Sequence, residues 1–184
     1  MSPPGRPKGE HRSAQREGIS TRPMSRPEGE HRNVQREANP RVPPAIGERF
    51  ARRATFDAAA IRRFATLCGD ANPLHHDEKF AAASRFGTLI ASGPHVAALM
   101  MGLDATYLSG RFDAVGLDFG FRFVKAVPEG ADLSLEWTVT ACRTTRNASG
   151  FVVSVEGRAV DDAGTIYVTG RGDNLIKAKG AGKK

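Results

Sequence analysis

An aspartate and a histidine stand five residues apart in the segment Asp70-Ala-Asn-Pro-Leu-His75, with a proline between them. Pro73 fixes its own φ and steers Asn72 out of the α region. Asp70 and His75 can therefore converge on one point across the turn. A carboxylate and an imidazole that share a water can move protons in both directions. On residue types alone, an aspartate that caps a turn beside a structural histidine fits the segment equally well. His76, Asp77 and Glu78 follow at once and are of metal-ligating type. Adjacent helical residues do not face one another, so no metal site is expected there. Cys68 reads as a small packed residue rather than a nucleophile. Eighteen positions after His75, the run Ser92-Gly93-Pro94 opens a long apolar stretch. Serine is an N-cap type and proline suits the first helical position. The free N–H groups of such a helix start favour negative charge.

These residues need elements to hold them. Residues 47–54 suit a short leading strand, and Thr55 a helix N-cap. From 56 to 68, Ala60, Ile61, Phe64 and Leu67 recur at helical spacing, with Arg62 and Arg63 outside. Gly69 ends that helix, and residues 70–76 form the irregular loop. Residues 78–83 suit one or two helical turns. The stretch after Ser92 runs to about Leu108, with Gly110 as its stop. Val96, Leu99, Met100, Met101, Leu103 and Tyr107 make it apolar nearly all round, as in a helix buried on most sides. His95, Asp104 and Thr106 are its polar positions, and His95 reads as a cap or a pocket-lining residue. Only strands follow. Leu117, Phe119, Phe121 and Phe123 alternate with polar or small residues, as do Leu133, Leu135, Trp137 and Val139. Residues 151–160 and 165–176 complete a set of four, separated by turn signals at 128–130, 147–150 and 161–164. The pattern is α+β: an antiparallel sheet wrapped around a central apolar helix.

The 184 residues allow one ordinary domain. The net charge of +7 invites a nucleic-acid reading, but its distribution argues against one. Residues 1–44 carry +4, residues 177–184 carry +4, and residues 45–176 carry −1. In the first stretch, the segment 6–17 recurs at 26–37 with nine of twelve positions identical. Two copies poor in apolar residues build no solenoid and no core. Residues 1–44 are therefore expected to be a disordered basic leader with a duplicated segment. Residues 45–176 are the domain, and residues 177–184 a basic tail. The leader interleaves acids with its arginines and holds no aromatic for stacking, so nucleic acid is not the expected partner. No apolar run approaches the ~18 residues of a membrane helix. No secretory signal core is present, and the two cysteines lack C-x-x-C spacing. A cytoplasmic protein without membrane association is expected.

The stretch from Phe64 to His75 reads Phe-Ala-Thr-Leu-Cys-Gly-Asp-Ala-Asn-Pro-Leu-His, and a small residue, Ala81, follows downstream. It resembles the hydratase-2 signature of the MaoC-like family, with every position filled. The resemblance extends more weakly over about residues 47–176. It implies a hotdog fold, which agrees with the α+β pattern above. It also implies the activity of (R)-specific enoyl-CoA hydratases: reversible addition of water across a trans-2-enoyl-CoA, giving an (R)-3-hydroxyacyl-CoA. An acyl carrier protein thioester is the less expected substrate.

Carried over residue by residue, the resemblance makes Asp70 and His75 the catalytic pair. The Gly93 N–H becomes the donor to the thioester oxygen, where enolate charge develops. Which of the pair gives and which takes the proton stays open. Many hydratases of the family read His-Gly-Met where this chain reads Ser92-Gly93-Pro94. Pro94 has no N–H, so Gly93 is the main donor. Ser92 and Asn72 complete the substrate-binding expectation, with Asn72 chiefly shaping the loop. The family uses no metal and no cofactor beyond the CoA thioester itself. Arg111, Arg122, Lys125 and Arg143 could meet CoA phosphates, with no more claim than other surface cations. A lone hotdog unit implies a homodimer, which also covers an exposed strand edge. The competing functions are a hotdog thioesterase, a non-catalytic acyl-thioester binding module and nucleic-acid binding through the tails.

Overall fold

The computed structural model describes residues 42–146 and 149–179. Most of the leader, including its duplication, the dipeptide 147–148 and the tail from 180 on lie outside the described residues. In chain order the elements are β1 (Arg49–Phe56), α1 (Ala58–Leu67), a 3₁₀ turn (Pro73–His75), α2 (Glu78–Ala83) and α3 (Gly93–Arg111). Then come β2 (Phe112–Phe123), β3 (Ala131–Thr144), β4 (Phe151–Val160) and β5 (Ile166–Ala178). The strands form one antiparallel sheet in the order β1-β3-β4-β5-β2, with β1 and β2 at the edges. α3 packs against it as the hotdog arrangement requires. No helix among the described residues is long and apolar enough to cross a membrane.

One row of residues across the sheet explains how it holds the helix. Trp137 pairs with Gly157, Gly157 with Gly170, and Gly170 with Phe121. The two glycines leave the inner face bare, so the indole lies across β4 and β5. A Cβ on Gly157 would fall 2.4 Å from the indole, and one on Gly170 3.0 Å from it. The fully buried Trp137 meets Phe119 and Phe121 edge-on at 6.2 and 6.3 Å. Its Nε1–H donates to the Met100 carbonyl of α3 at 2.9 Å, so burying the indole orphans no donor.

Several boundaries differ from the sequence reading, each for a tertiary reason. β1 runs through Thr55 to Phe56, whose carbonyl accepts from the Gly130 N–H at 2.9 Å. The N-cap of α1 is therefore Asp57, accepting from the Ala60 N–H at 2.7 Å. Gly110 does not stop α3, which continues to Arg111 and passes directly into β2. Arg111 is anchored there by Glu48 at 2.6 Å and by the Tyr107 hydroxyl at 2.9 Å. β2 thus begins at Phe112 rather than near Leu117, and Leu117 lies exposed where the β2–β5 register shifts. β5 reaches Ala178, so Lys177 and Ala178 belong to the sheet and not to the expected tail. Leu67 and Met101, read as core, are exposed, as is Cys68.

Candidate active site

The loop between α1 and α2 is built to present two side chains. Gly69 adopts a φ of 75°, a left-handed value that favours glycine, and turns the chain out of α1. The Asp70 N–H then returns to the Ala65 carbonyl at 2.9 Å. Asp70 Oδ1 accepts from the Asn72 N–H at 3.1 Å, and Asn72 Oδ1 accepts from the Leu74 N–H at 3.1 Å. Asn72 thereby spends its carbonyl oxygen on the loop. His76 Nε2 donates to the Asp70 carbonyl at 2.6 Å, Asp77 caps α2, and Glu78 pairs with Arg62. The three polar residues after His75 are thus engaged within the loop, and no metal-holding cluster forms among the described residues.

With Oδ1 tied to the loop, Asp70 Oδ2 faces His75 Nε2 at 3.3 Å. His75 is buried, and its Nδ1 lies 2.7 Å from the Ile90 carbonyl oxygen. A carbonyl can only accept, so Nδ1 carries the proton. In the neutral tautomer that this bond selects, Nε2 is the accepting nitrogen on the side of Asp70. Nothing in the sequence marked Ile90, because its contribution is a backbone oxygen brought in by a loop fifteen residues away.

His75 and Gly93 line one cavity of 410 Å³, with Phe86, Val96, Phe123 and Val127 among its apolar walls. Gly93 is the first residue of α3, so its N–H has no acceptor within the helix. The Phe123 ring sits directly over it: a Cβ on Gly93 would lie 2.9 Å from the ring. Ser92 occupies the N-cap position, but its side chain makes no capping bond. Its hydroxyl is buried and has no hydrogen-bond partner among the described residues. A larger groove of 1060 Å³ crosses the sheet and is lined by Glu136, Trp137 and Arg158, yet it contains neither His75 nor Gly93.

His95 neither caps the helix nor lines this cavity. Its imidazole is stacked on Phe64 at 4.5 Å and meets Phe56 edge-on at 5.2 Å. Burial, reinforced by the field of Arg63, pulls its pKa below the ordinary histidine value. Among the surface cations considered for CoA phosphates, Arg111 is bound to Glu48, whereas Lys125 lies on the cavity wall together with Arg85.

Deeper in α3, Asp104 is 1% exposed and neither carboxylate oxygen has a hydrogen-bond partner of ordinary geometry. Burial pushes its pKa up to about 6, against a smaller opposing pull from Asn174 on β5. Its place among apolar neighbours was visible in the sequence; its complete burial was not.

The MaoC like domain family matches residues 41–159. An (R)-specific enoyl-CoA hydratase of Aeromonas caviae is 31% identical over 125 residues, covering 68% of this chain and 90% of that protein. A 3-hydroxybutyryl-CoA dehydratase of Methylorubrum extorquens is 47% identical over 47 residues, which are 26% of this chain and 30% of that one. Among solved structures, the unliganded R-hydratase of Pseudomonas aeruginosa superposes with a TM-score of 0.66 at 27% identity. That likeness covers 74% of this chain and 84% of the other.

Proposed function

The chain belongs to the MaoC-like domain family, and from that premise we propose that it is a hydro-lyase adding water reversibly to a trans-2-enoyl-CoA to give an (R)-3-hydroxyacyl-CoA. The carrying observation is the Asp70 Oδ2–His75 Nε2 approach of 3.3 Å, beside a His75 whose Nδ1–H is committed to the Ile90 carbonyl. The hydratase and dehydratase relatives support the same class of reaction.

In this reading one water sits between Asp70 and His75. The Nε2 lone pair takes a proton from it as its oxygen bonds to C3 of the enoyl thioester. The C2=C3 electron pair moves toward the thioester carbonyl, whose oxygen is held by the Gly93 N–H. The ionised Asp70 stabilises the imidazolium and orients the water. Nε2 then returns the proton to C2, so the whole water molecule is added and no cofactor is consumed. Positioned proton transfer of this kind contributes about 10²–10⁴ in rate. Ser92 Oγ, buried beside Gly93 with no hydrogen-bond partner among the described residues, supplies a further hydrogen-bonding group to the substrate.

A homodimer belongs to the same reading. β2 is a sheet edge bearing exposed Val115 and Leu117, and a second copy pairing along it would cover both. Cytoplasmic acyl-CoA is the substrate pool.

Loss of enoyl absorbance from crotonyl-CoA and longer homologues, with chiral analysis of the product, tests the proposal. Asp70→Asn and His75→Asn are expected to lower kcat by about 10² or more while leaving the fold intact. Full activity in either variant overturns the assignment. Release of free CoA thiol without hydration would indicate a thioesterase. Tight binding without turnover would indicate a binding module.

A further inference from the structure

The cavity that holds His75 and Gly93 is also lined by two cations, Arg85 and Lys125, and by no aspartate or glutamate among the described residues. Arg85 lies just beyond α2, and Lys125 just beyond β2. Neither forms an ion pair among the described residues. The Arg85 guanidinium lies 4.8 Å from the centre of the Phe86 ring, and the Lys125 ammonium 5.2 Å from that of Tyr167. Arg53, Arg62, Arg111, Arg158 and Arg171, by contrast, each meet a carboxylate. The nearby Glu129 carboxylate accepts from the Thr88 hydroxyl at 3.3 Å and engages neither cation.

Two cations resting on aromatic faces beside apolar walls, with no ion-pair partner of their own among the described residues, create a local positive potential. A cavity of 410 Å³ is at the small end of the ~300–1,000 Å³ usual for ligand pockets. Arg85 and Lys125 are both exposed, so the carrier part of a CoA ester can meet them from solvent. We propose that Arg85 and Lys125 form the anion clamp of this site, binding a phosphate or carboxylate carried by the thioester substrate. The proposal rests on the thioester reading of the cavity given above.

The test compares wild type with Arg85→Gln, Lys125→Gln and the double variant on three thioesters. The first is crotonyl-CoA, and the second is the crotonyl thioester of N-acetylcysteamine, which lacks phosphate. The third is the N-acetylcysteamine thioester of fumarate, whose acyl group ends in a free carboxylate. If the anion is a phosphate, the kcat/KM advantage of crotonyl-CoA over its truncated analogue shrinks roughly tenfold per cation removed, chiefly through KM. If it is an acyl carboxylate, the advantage of the fumarate thioester over the truncated crotonyl one shrinks instead. Arg85→Lys, which keeps the charge, retains most of either advantage. Unchanged ratios in the double variant overturn the clamp.

Calorimetry of CoA binding separates this proposal from the hydratase reading. Wild-type binding that weakens in the double variant, with no turnover of any thioester, sustains the clamp and removes the hydratase. Turnover of crotonyl-CoA with unchanged ratios does the reverse. Wild-type protein that neither binds CoA nor turns over a thioester overturns both.

Discussion

Replacing Asp104 by asparagine is expected to stabilise the protein above pH 6 and to change it little near pH 4. The carboxyl is 1% exposed on α3, and burial raises its pKa from 3.8 to about 6 in the folded protein. Between those values the folded chain keeps a proton that the unfolded chain has released. Stability contributed by the neutral acid is therefore present below pH 3.8 and declines as the pH rises to about 6. The full shift corresponds to about 3 kcal/mol at pH 7. Asparagine keeps the shape, removes the charge and still offers an amide to Asn174. Urea unfolding of wild type and Asp104→Asn at pH 4, 5, 6, 7 and 8 measures the difference directly. It should grow from near zero to about 3 kcal/mol, or roughly 6–12 °C in Tm at neutral pH. A difference that is flat with pH, or an asparagine variant less stable than wild type at pH 7, would refute the reasoning. Either would mean that the folded protein pairs the ionised carboxylate.

Gly93→Ala places a Cβ 2.9 Å from the Phe123 ring, so the ring or the start of α3 must shift. A kcat loss of up to about 10² is expected, partly recovered in the Gly93→Ala/Phe123→Leu pair. Gly157→Ala meets the Trp137 indole at 2.4 Å and the Glu136 carbonyl at 2.7 Å. It should cost the upper part of the ~1–3 kcal/mol typical of overpacking, read by chemical unfolding. Ser92→Ala removes a hydroxyl that forms no capping bond, so stability should stay within ~0.5 kcal/mol of wild type. A rise in KM for the enoyl thioester in that variant would then report substrate contact rather than a lost cap.

The fold class and the closing of the Asp70–His75 loop were legible because both rest on local information. Period-two alternation and the turn signals define the antiparallel strands, and an apolar stretch without a polar face defines a buried helix. Asp70, Pro73 and His75 are close in sequence, and their loop closes through its own hydrogen bonds, from Asp70 Oδ1 to the Asn72 N–H and from Asn72 Oδ1 to the Leu74 N–H. The ends of elements were less legible, because long-range contacts set them. Asp57 replaces Thr55 as a cap since Phe56 is held by Gly130, and Gly110 stays helical since Arg111 is held by Glu48.

By itself the sequence determined which residues can do chemistry, that the excess charge lies in the ends, and that a sheet must enclose a helix. Only the tertiary structure decided the proton position on His75, because that depends on the backbone oxygen of Ile90. It alone joined Gly93 to His75 in one cavity, set Arg85 and Lys125 on its wall, and buried Asp104. The physical reason is the same in each case. Hydrogen-bond partners, counter-ions and burial are properties of groups brought together from distant parts of the chain, and residue spacing encodes only the neighbours within a turn or two.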